Sequence, residues 1–214
     1  GYSQILRRDK ELPAKHRHSI ETIEKSGDHL LSMINDILDL SKIEAGRMEL
    51  DLEAIRVAEV AEEVAQITSI LLKDKPVELV IDLAPDLPEV WADKVRLRQV
   101  LNNLVSNAAK FTNQGEIRIV AQLTERSGTD NNKMVLVRVT DTGEGIAPEH
   151  LELVFQQFRQ VDSSSTRRAG GTGMGLTITR HLVHMQGGEI GVESTVGEGS
   201  IFYFTVPVAP VAVA

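Results

Sequence analysis

The stretch DKVRLRQVLNNLVSNAAKFT, residues 93–112, combines a buried-looking helical stripe with Asn103, Asn107 and Lys110. Asp93 is suited to cap a helix, and Val95, Leu97, Val100, Leu101, Leu104, Val105 and Ala108 recur at helical spacing. Asn103, Asn107 and Lys110 are separated by offsets of 4 and 3, which gathers them on one face. Asparagine is a poor helix former and costs free energy when buried without a partner. Amide oxygens beside an ammonium suit a hard cation and its phosphate ligands, since magnesium prefers oxygen donors and keeps part of its water shell. The structural alternative is that both amides bond to adjacent backbone and only stabilise the fold.

Around this helix the chain alternates between helical and extended patterns. Residues 57–73 have helical periodicity that Pro76 breaks, and Val77–Leu83 alternates as a strand. A proline-rich loop at 85–88 follows. After the helix, Asn113-Gln114-Gly115 turns the chain into a strand at 116–122, and a polar hairpin loop at 127–132 leads to a returning strand at 134–139. Residues 174–185 read as a helix closed by Gly187-Gly188. The segments 189–193 and 200–206 form a last hairpin around Gly197-Glu198-Gly199, with a frayed tail from 207.

Two glycine-bearing segments supply further candidate chemistry. Asp141-Thr142-Gly143-Glu144-Gly145-Ile146 directly follows a strand, where a carboxylate can accept from an exocyclic amine while the glycines leave room for a flat ring. An ordinary Asp-rich turn is the alternative. Gly170-Gly171-Thr172-Gly173-Met174-Gly175-Leu176 runs into a helix, and its N–H groups can cradle phosphates. It is not a P-loop, because no Lys-Ser or Lys-Thr follows the last glycine. Here the alternative is a flexible hinge. Between them, the polar stretch 156–169 beside Phe155 and Phe158 has the length of a lid, from which Arg167 and Arg168 could reach a polyphosphate.

The first fifty residues are different in kind. They hold 8 basic and 9 acidic residues and only 3 of the 16 glycines, whereas the remainder holds 15 basic and 22 acidic. After Pro13, Ile20, Ile23, Leu30, Ile34 and Ile37 keep one face, widened by Leu31 and Leu38, until Glu44-Ala45-Gly46 ends the helix. Residues 1–8 read as the end of an earlier helix. Periodicity leaves open a hairpin packed on the same chain or half of a dimeric four-helix bundle. Across all 214 residues the net charge of −8 argues against a nucleic-acid coat. The absence of cysteine excludes disulfides and thiolate metal sites, and no apolar run approaches the roughly 20 residues of a membrane span.

In their order and spacing, the Asn helix, Asp-x-Gly-x-Gly, phenylalanine pair and Gly-rich turn resemble the N, G1, F and G2 boxes of sensor histidine kinases. Residues 34–46 resemble the second dimerisation helix of the same family, so the likeness covers essentially the whole chain and favours the bundle. It implies an α+β chain: a partial dimerisation and phosphotransfer hairpin at 1–50, then a two-layer α/β sandwich of the Bergerat ATP-binding type at 51–210. It implies that Asn107 ligates Mg²⁺, that Asn103 assists as a polar or proton-accepting group near the reacting phosphate, and that Lys110 contacts phosphate. Asp141 would accept from the adenine amine of ATP, with Gly143 and Gly145 giving the ring space, and Phe111, Ile146 and Phe158 are also implied to bind the nucleotide. Gly171, Gly173 and Gly175 would cradle the phosphates, and Thr172, Met174 and Leu176 are implied to bind the nucleotide with them. Gln160 occupies a lid position where some relatives carry a basic residue, which assigns γ-phosphate contact to Arg167.

The implied partners are a response-regulator receiver domain and, in the full-length parent, a second copy in a homodimer. Neither nucleic acid nor membrane contact is expected of this stretch, and the implied location is cytoplasmic, any anchor of the parent lying outside it. One departure is evident. The acceptor histidine of this family lies in a segment that normally ends about ten residues before a stretch like residues 1–6, so the expectation is that it lies before this chain. None of His16, His18, His29, His150, His181 or His184 has the acidic neighbour and proline of that motif. The alternatives are a gyrase-like or chaperone-like ATPase that drives a conformational change, and a non-catalytic dimeric scaffold.

Overall fold

Pro13, with extended backbone at φ −57° and ψ 142°, precedes the first turn of α1 (Ala14–Glu44), a helix of 31 residues. Proline at a helix start loses no hydrogen bond, because the first N–H groups have no partner within the helix. The helix runs through Gly27 without a break. It ends where Gly46 takes φ 62°, a left-handed conformation that suits glycine. There Gly46 N–H donates to Ile43 O (2.9 Å) and Arg47 N–H to Lys42 O (2.8 Å), the paired bonds of a Schellman cap. Ile23, Leu30, Leu31, Ile34, Ile37 and Leu38 are all exposed on α1.

This is a computed structural model; it describes residue 6 and residues 13–125, 133–156 and 173–210. The chain divides into two compact units, Gly1–Met48 and Glu49–Ala214. In the second, α2 (Val57–Leu72) buries Val57, Val60, Ala61, Val64, Thr68 and Leu72, and α3 (Lys94–Phe111) buries Leu97, Val100, Leu101, Leu104, Val105, Ala108 and Ala109. A third long helix, α5 (Gly175–Met185), buries Thr177, Ile178, Thr179, Leu182 and Val183. A short helix α4 (Pro148–Leu151) interrupts the region that the sequence leaves irregular.

Five strands form the main sheet: β2 (Val77–Leu83), β4 (Gly115–Glu125), β5 (Lys133–Asp141), β6 (Ile190–Thr195) and β7 (Gly199–Pro207), in the order β2-β4-β5-β7-β6. Only β2 and β4 run parallel, as the connection through α3 requires; the other pairs are antiparallel. Alternation along β4 buries Ile117, Ile119 and Ala121 and leaves Glu116, Arg118 and Val120 partly exposed. Val135, Val137 and Val139 of β5 and Phe202, Phe204 and Val206 of β7 are buried with them, so the core lies between one sheet face and the helices. A second sheet of two short strands pairs β1 (Glu53–Ile55) with β3 (Val90–Ala92). The expected fraying from residue 207 does not begin there: Pro207 ends β7, Val208 bridges Val90, and Ala209 N–H donates to Glu89 O at 2.8 Å.

The ends of α3 are tied by residues distant in sequence. Asp93 accepts from Val95 N–H (2.9 Å) and Arg96 N–H (3.1 Å), the capping predicted above, and also from Asp51 N–H at 3.1 Å. Its own N–H donates to Gln186 Oε1 at 3.0 Å. At the other end the Lys75 ammonium donates to Ala109 O (2.7 Å) and Thr112 O (2.9 Å), where helix carbonyls lack partners. Lys75→Met is therefore expected to lower stability by about 2 kcal/mol, the scale of charge-assisted bonds to backbone. Thermal unfolding would show the loss, and Lys75→Arg should recover part of it.

Candidate functional site

Asn103, Asn107 and Lys110 lie on one side of α3, half-buried, with Phe111 as the last helical residue. Asn103 faces α5. Its Nδ2 donates to Thr179 Oγ1 at 2.8 Å, and a methyl group at Gly175 would lie 2.6 Å from its Oδ1. The Asn107 amide, one turn on, has no hydrogen-bond partner among the described residues. Lys110 Nζ lies 4.8 Å from the centre of the Phe111 ring, and burial pushes its ammonium below the usual 10.5.

The far end of α3 meets the loop after β5. A methyl group at Gly143 would approach Phe111 O to 2.6 Å and Asp141 Oδ1 to 2.7 Å. Asp141 closes β5 and is 6% exposed; it accepts from Gly143 N–H at 2.8 Å and from the Ser200 backbone. Burial raises its pKa above the ordinary 3.8, with those two backbone donors opposing the rise. The loop is then fastened to the β6–β7 hairpin. Gly145 has φ 69°, and a methyl group there would strike Thr195 O at 2.0 Å. Ile146 N–H donates to Ser194 Oγ (2.8 Å), which itself donates to Gly199 O (2.7 Å).

The Gly-rich segment enters the described residues at Gly173, whose φ is 68°. Met174 is the buried residue before α5, and Gly175 and Leu176 form its first turn. Thr177 Oγ1 donates to Phe155 O at 3.0 Å, and the Phe155 ring meets Phe202 edge-on with centroids 6.3 Å apart. Phe158, Arg167, Gly171 and Thr172, with the expected lid beyond Gln156, lie outside the described residues.

Two of the three clusters are thus brought onto α3, the start of α5 at Asn103 in mid-helix and the Asp141 loop at Phe111, its last residue. Sequence reasoning missed Thr179, Ser194, Gln186 and Lys75, because each acts on a partner at least 34 residues away. The Asp-x-Gly-x-Gly spacing and the Gly197–Gly199 hairpin were visible; their contact was not. Among the described residues no group of three His, Cys, Asp or Glu is arranged for a metal ion, and no helix is long and apolar enough to cross a membrane.

Comparison with known proteins agrees with this fold. The family described as histidine kinase-, DNA gyrase B- and HSP90-like ATPase matches residues 92–210, more than half of the chain, and the His kinase A phospho-acceptor domain matches residues 1–46. The chain belongs to this ATPase family. Within it, the added phospho-acceptor match makes the chain a sensor histidine kinase catalytic core, its first unit fitting the helical hairpin of that domain.

Among its relatives, the sensor protein GacS of Pseudomonas syringae pv. syringae is 41% identical over 207 residues, covering 96% of this chain and 22% of that protein. The signal transduction histidine-protein kinase BarA of Escherichia coli K12 is 39% identical over 208 residues, covering 96% and 22%. The chain therefore spans less than a quarter of the length of these relatives. Full-length ShkA, crystallised in complex with AMPPNP, superposes with a TM-score of 0.79 at 34% identity, covering 99% of this chain and 42% of that one. The catalytic domain of histidine kinase ThkA gives 0.62 at 28% identity, covering 76% and 100%.

Proposed function

We propose that the face of α3 carrying Asn103, Asn107 and Lys110 binds Mg-ATP and that the chain transfers the γ-phosphoryl group to a histidine, for relay to a response-regulator receiver domain. The observation that carries this reading is the convergence on α3: Asn103 abuts Gly175 in mid-helix, and the Phe111 carbonyl abuts Gly143 at the C-terminal end. Asp141, a buried acceptor, suits the adenine amine, with Gly143, Gly145, Ile146 and Phe111 leaving a slot for the ring. Lys110, Gly173, Met174, Gly175 and Leu176 suit the phosphates, joined in the proposal by Gly171, Thr172, Phe158 and Arg167.

The donor set also fits magnesium. That ion is commonly held by one or two protein oxygens plus phosphates and waters, and Asn107 offers a half-buried amide without another partner among the described residues. The ion would supply charge neutralisation between the phosphates. Asn103 would act as a polar or proton-accepting group near the reacting phosphate, and Lys110 with Arg167 would offset its developing charge. Most of the catalysis is then positioning and electrostatic stabilisation. A net charge of −8 does not oppose this, since backbone N–H groups and two local cations are enough for a polyanion carried with its metal.

The exposed stripe of α1 supports pairing with a second copy in a four-helix bundle. None of the six histidines has the acceptor context, so this stretch by itself binds Mg-ATP without labelling itself. Isothermal titration with ATP, with and without Mg²⁺, is expected to show metal-assisted binding. Incubation with γ-labelled ATP is expected to leave no acid-labile phosphate on the protein. Substantial acid-labile label would identify an acceptor among the six, and a lack of nucleotide binding would favour the scaffold.

A further inference from the structure

Thr179 lies on α5, in no glycine-rich box, and its side chain is 2% exposed. Its hydroxyl receives the Asn103 Nδ2–H across 76 residues of sequence, at 2.8 Å. The other end of the same amide points to the helix start. A methyl group on Gly175 would lie 2.6 Å from Asn103 Oδ1 but 3.3 Å from Nδ2, so the oxygen is the nearer atom to the first turn of α5. That turn presents N–H groups without helical partners and the positive end of the helix dipole, which favours an acceptor there over an NH₂.

We infer that Thr179 is a positioning residue for the nucleotide site: it anchors the Asn103 amide so that the carbonyl end stays against the Gly175 turn. An asparagine side chain carries acceptor and donors on opposite corners of one plane, and a half-turn exchanges them at little steric cost. Without the hydroxyl the NH₂ loses its buried partner, and the side chain is free to turn or withdraw toward water. Gly175 completes the device, because any side chain at that position would occupy the space of the amide oxygen. The inference rests on the reading of Asn103 as a group beside the metal-bound phosphates, and it extends that reading to a residue outside the sequence boxes.

The test is binding, measured by isothermal titration of ATP with and without Mg²⁺ for wild type, Thr179→Val, Thr179→Ser and Asn103→Ala. Thr179→Val keeps the shape and removes the hydroxyl. It is expected to leave metal-free ATP affinity within about twofold and to lose about tenfold of the gain that Mg²⁺ provides, the scale of one buried hydrogen bond lost from an amide beside the metal-bound phosphates. Thr179→Ser is expected to retain the gain, and Asn103→Ala to lose it. If Asn103→Ala loses the gain but Thr179→Val does not, the inference is overturned while the site reading stands. If Asn103→Ala leaves the gain intact, the reading of Asn103 fails first and the inference with it. Equal weakening by Thr179→Val with and without metal, together with a lowered Tm, would make the threonine a packing residue and overturn the proposal.

Discussion

Asp141→Asn is expected to weaken ATP binding by about 10- to 100-fold, the scale of one charged hydrogen bond lost in a buried site. The carboxylate already accepts from Gly143 N–H at 2.8 Å and from the Ser200 backbone, and the proposed adenine amine is a third donor. An ionised carboxylate has acceptor sites for all three, but an amide has one oxygen and an NH₂ that would face a donor. Whichever way the substituted amide turned, either the loop or the ligand would be left unpaired. Titration with ATP measures the loss directly, and thermal unfolding separates it from damage to the loop.

The same residue predicts a pH dependence. Burial raises the Asp141 pKa above 3.8, so the folded state holds this proton more tightly than the unfolded chain does. Its contribution to stability is fully present below the unfolded value and is lost as pH rises through the folded one. Ligand affinity runs the other way. Acceptance from the amine is strongest in the ionised form, so ATP binding weakens as pH falls through the raised pKa, beginning at a higher pH than an ordinary aspartate would give. The ratio of wild-type to Asp141→Asn affinity across the acid range removes the nucleotide's own protonation. A ratio that does not change with pH would exclude Asp141 as the titrating group.

The second large effect is expected at Gly199. Its φ is 117°, and a methyl group there would lie 1.9 Å from Asp141 O, just beyond the last pair of the β5–β7 ladder, Asp141 with Ser200. Backbone strain and collision act together, so Gly199→Ala is expected to cost about 3 kcal/mol or more. Gly197, two residues earlier in the same turn, is the control. Its φ is 83°, but nothing lies within 4 Å of an added methyl group. Strain alone then sets the cost of Gly197→Ala at about 1 to 2 kcal/mol. At about 2 to 4 °C per kcal/mol for a unit of this size, melting curves resolve the two. Because Gly199 presses on the Asp141 carbonyl, its substitution should also weaken ATP binding, whereas Gly197→Ala should leave binding near wild type. Equal losses from both variants would mean that the collision is relieved by movement of the hairpin.

Local sequence determined the parts of this protein that depend on neighbours within a few residues. Asp93 capped α3 as its position predicted, Gly46 ended α1, and the stripe from Leu97 to Ala108 became the buried face. Those outcomes follow from periodicity and from backbone groups that need a partner close by. Strands β1 and β3 were illegible because three residues are too few to establish an alternation, and they depend on pairing with each other and, at Val90, with Val208. The tail after Pro207 reads as loose, yet Val208 is held by its bridge to Val90.

The candidate site divides along the same line. Residue types on α3, in the Asp141 loop and at the start of α5 were visible in the sequence, since amides, a carboxylate and glycines stand out in their local patterns. Only the tertiary structure decided that Asn103 meets Thr179 and Gly175, that Phe111 O meets Gly143, and that Gly199 meets Asp141. Each of these contacts joins segments more than 30 residues apart, where no helical or strand period relates one residue to the other. Their pairing comes from the order of strands in the sheet and from the packing of α3 against α5 and the sheet. Local pattern thus specified which groups were available, and the long-range packing of the core specified which of them touch.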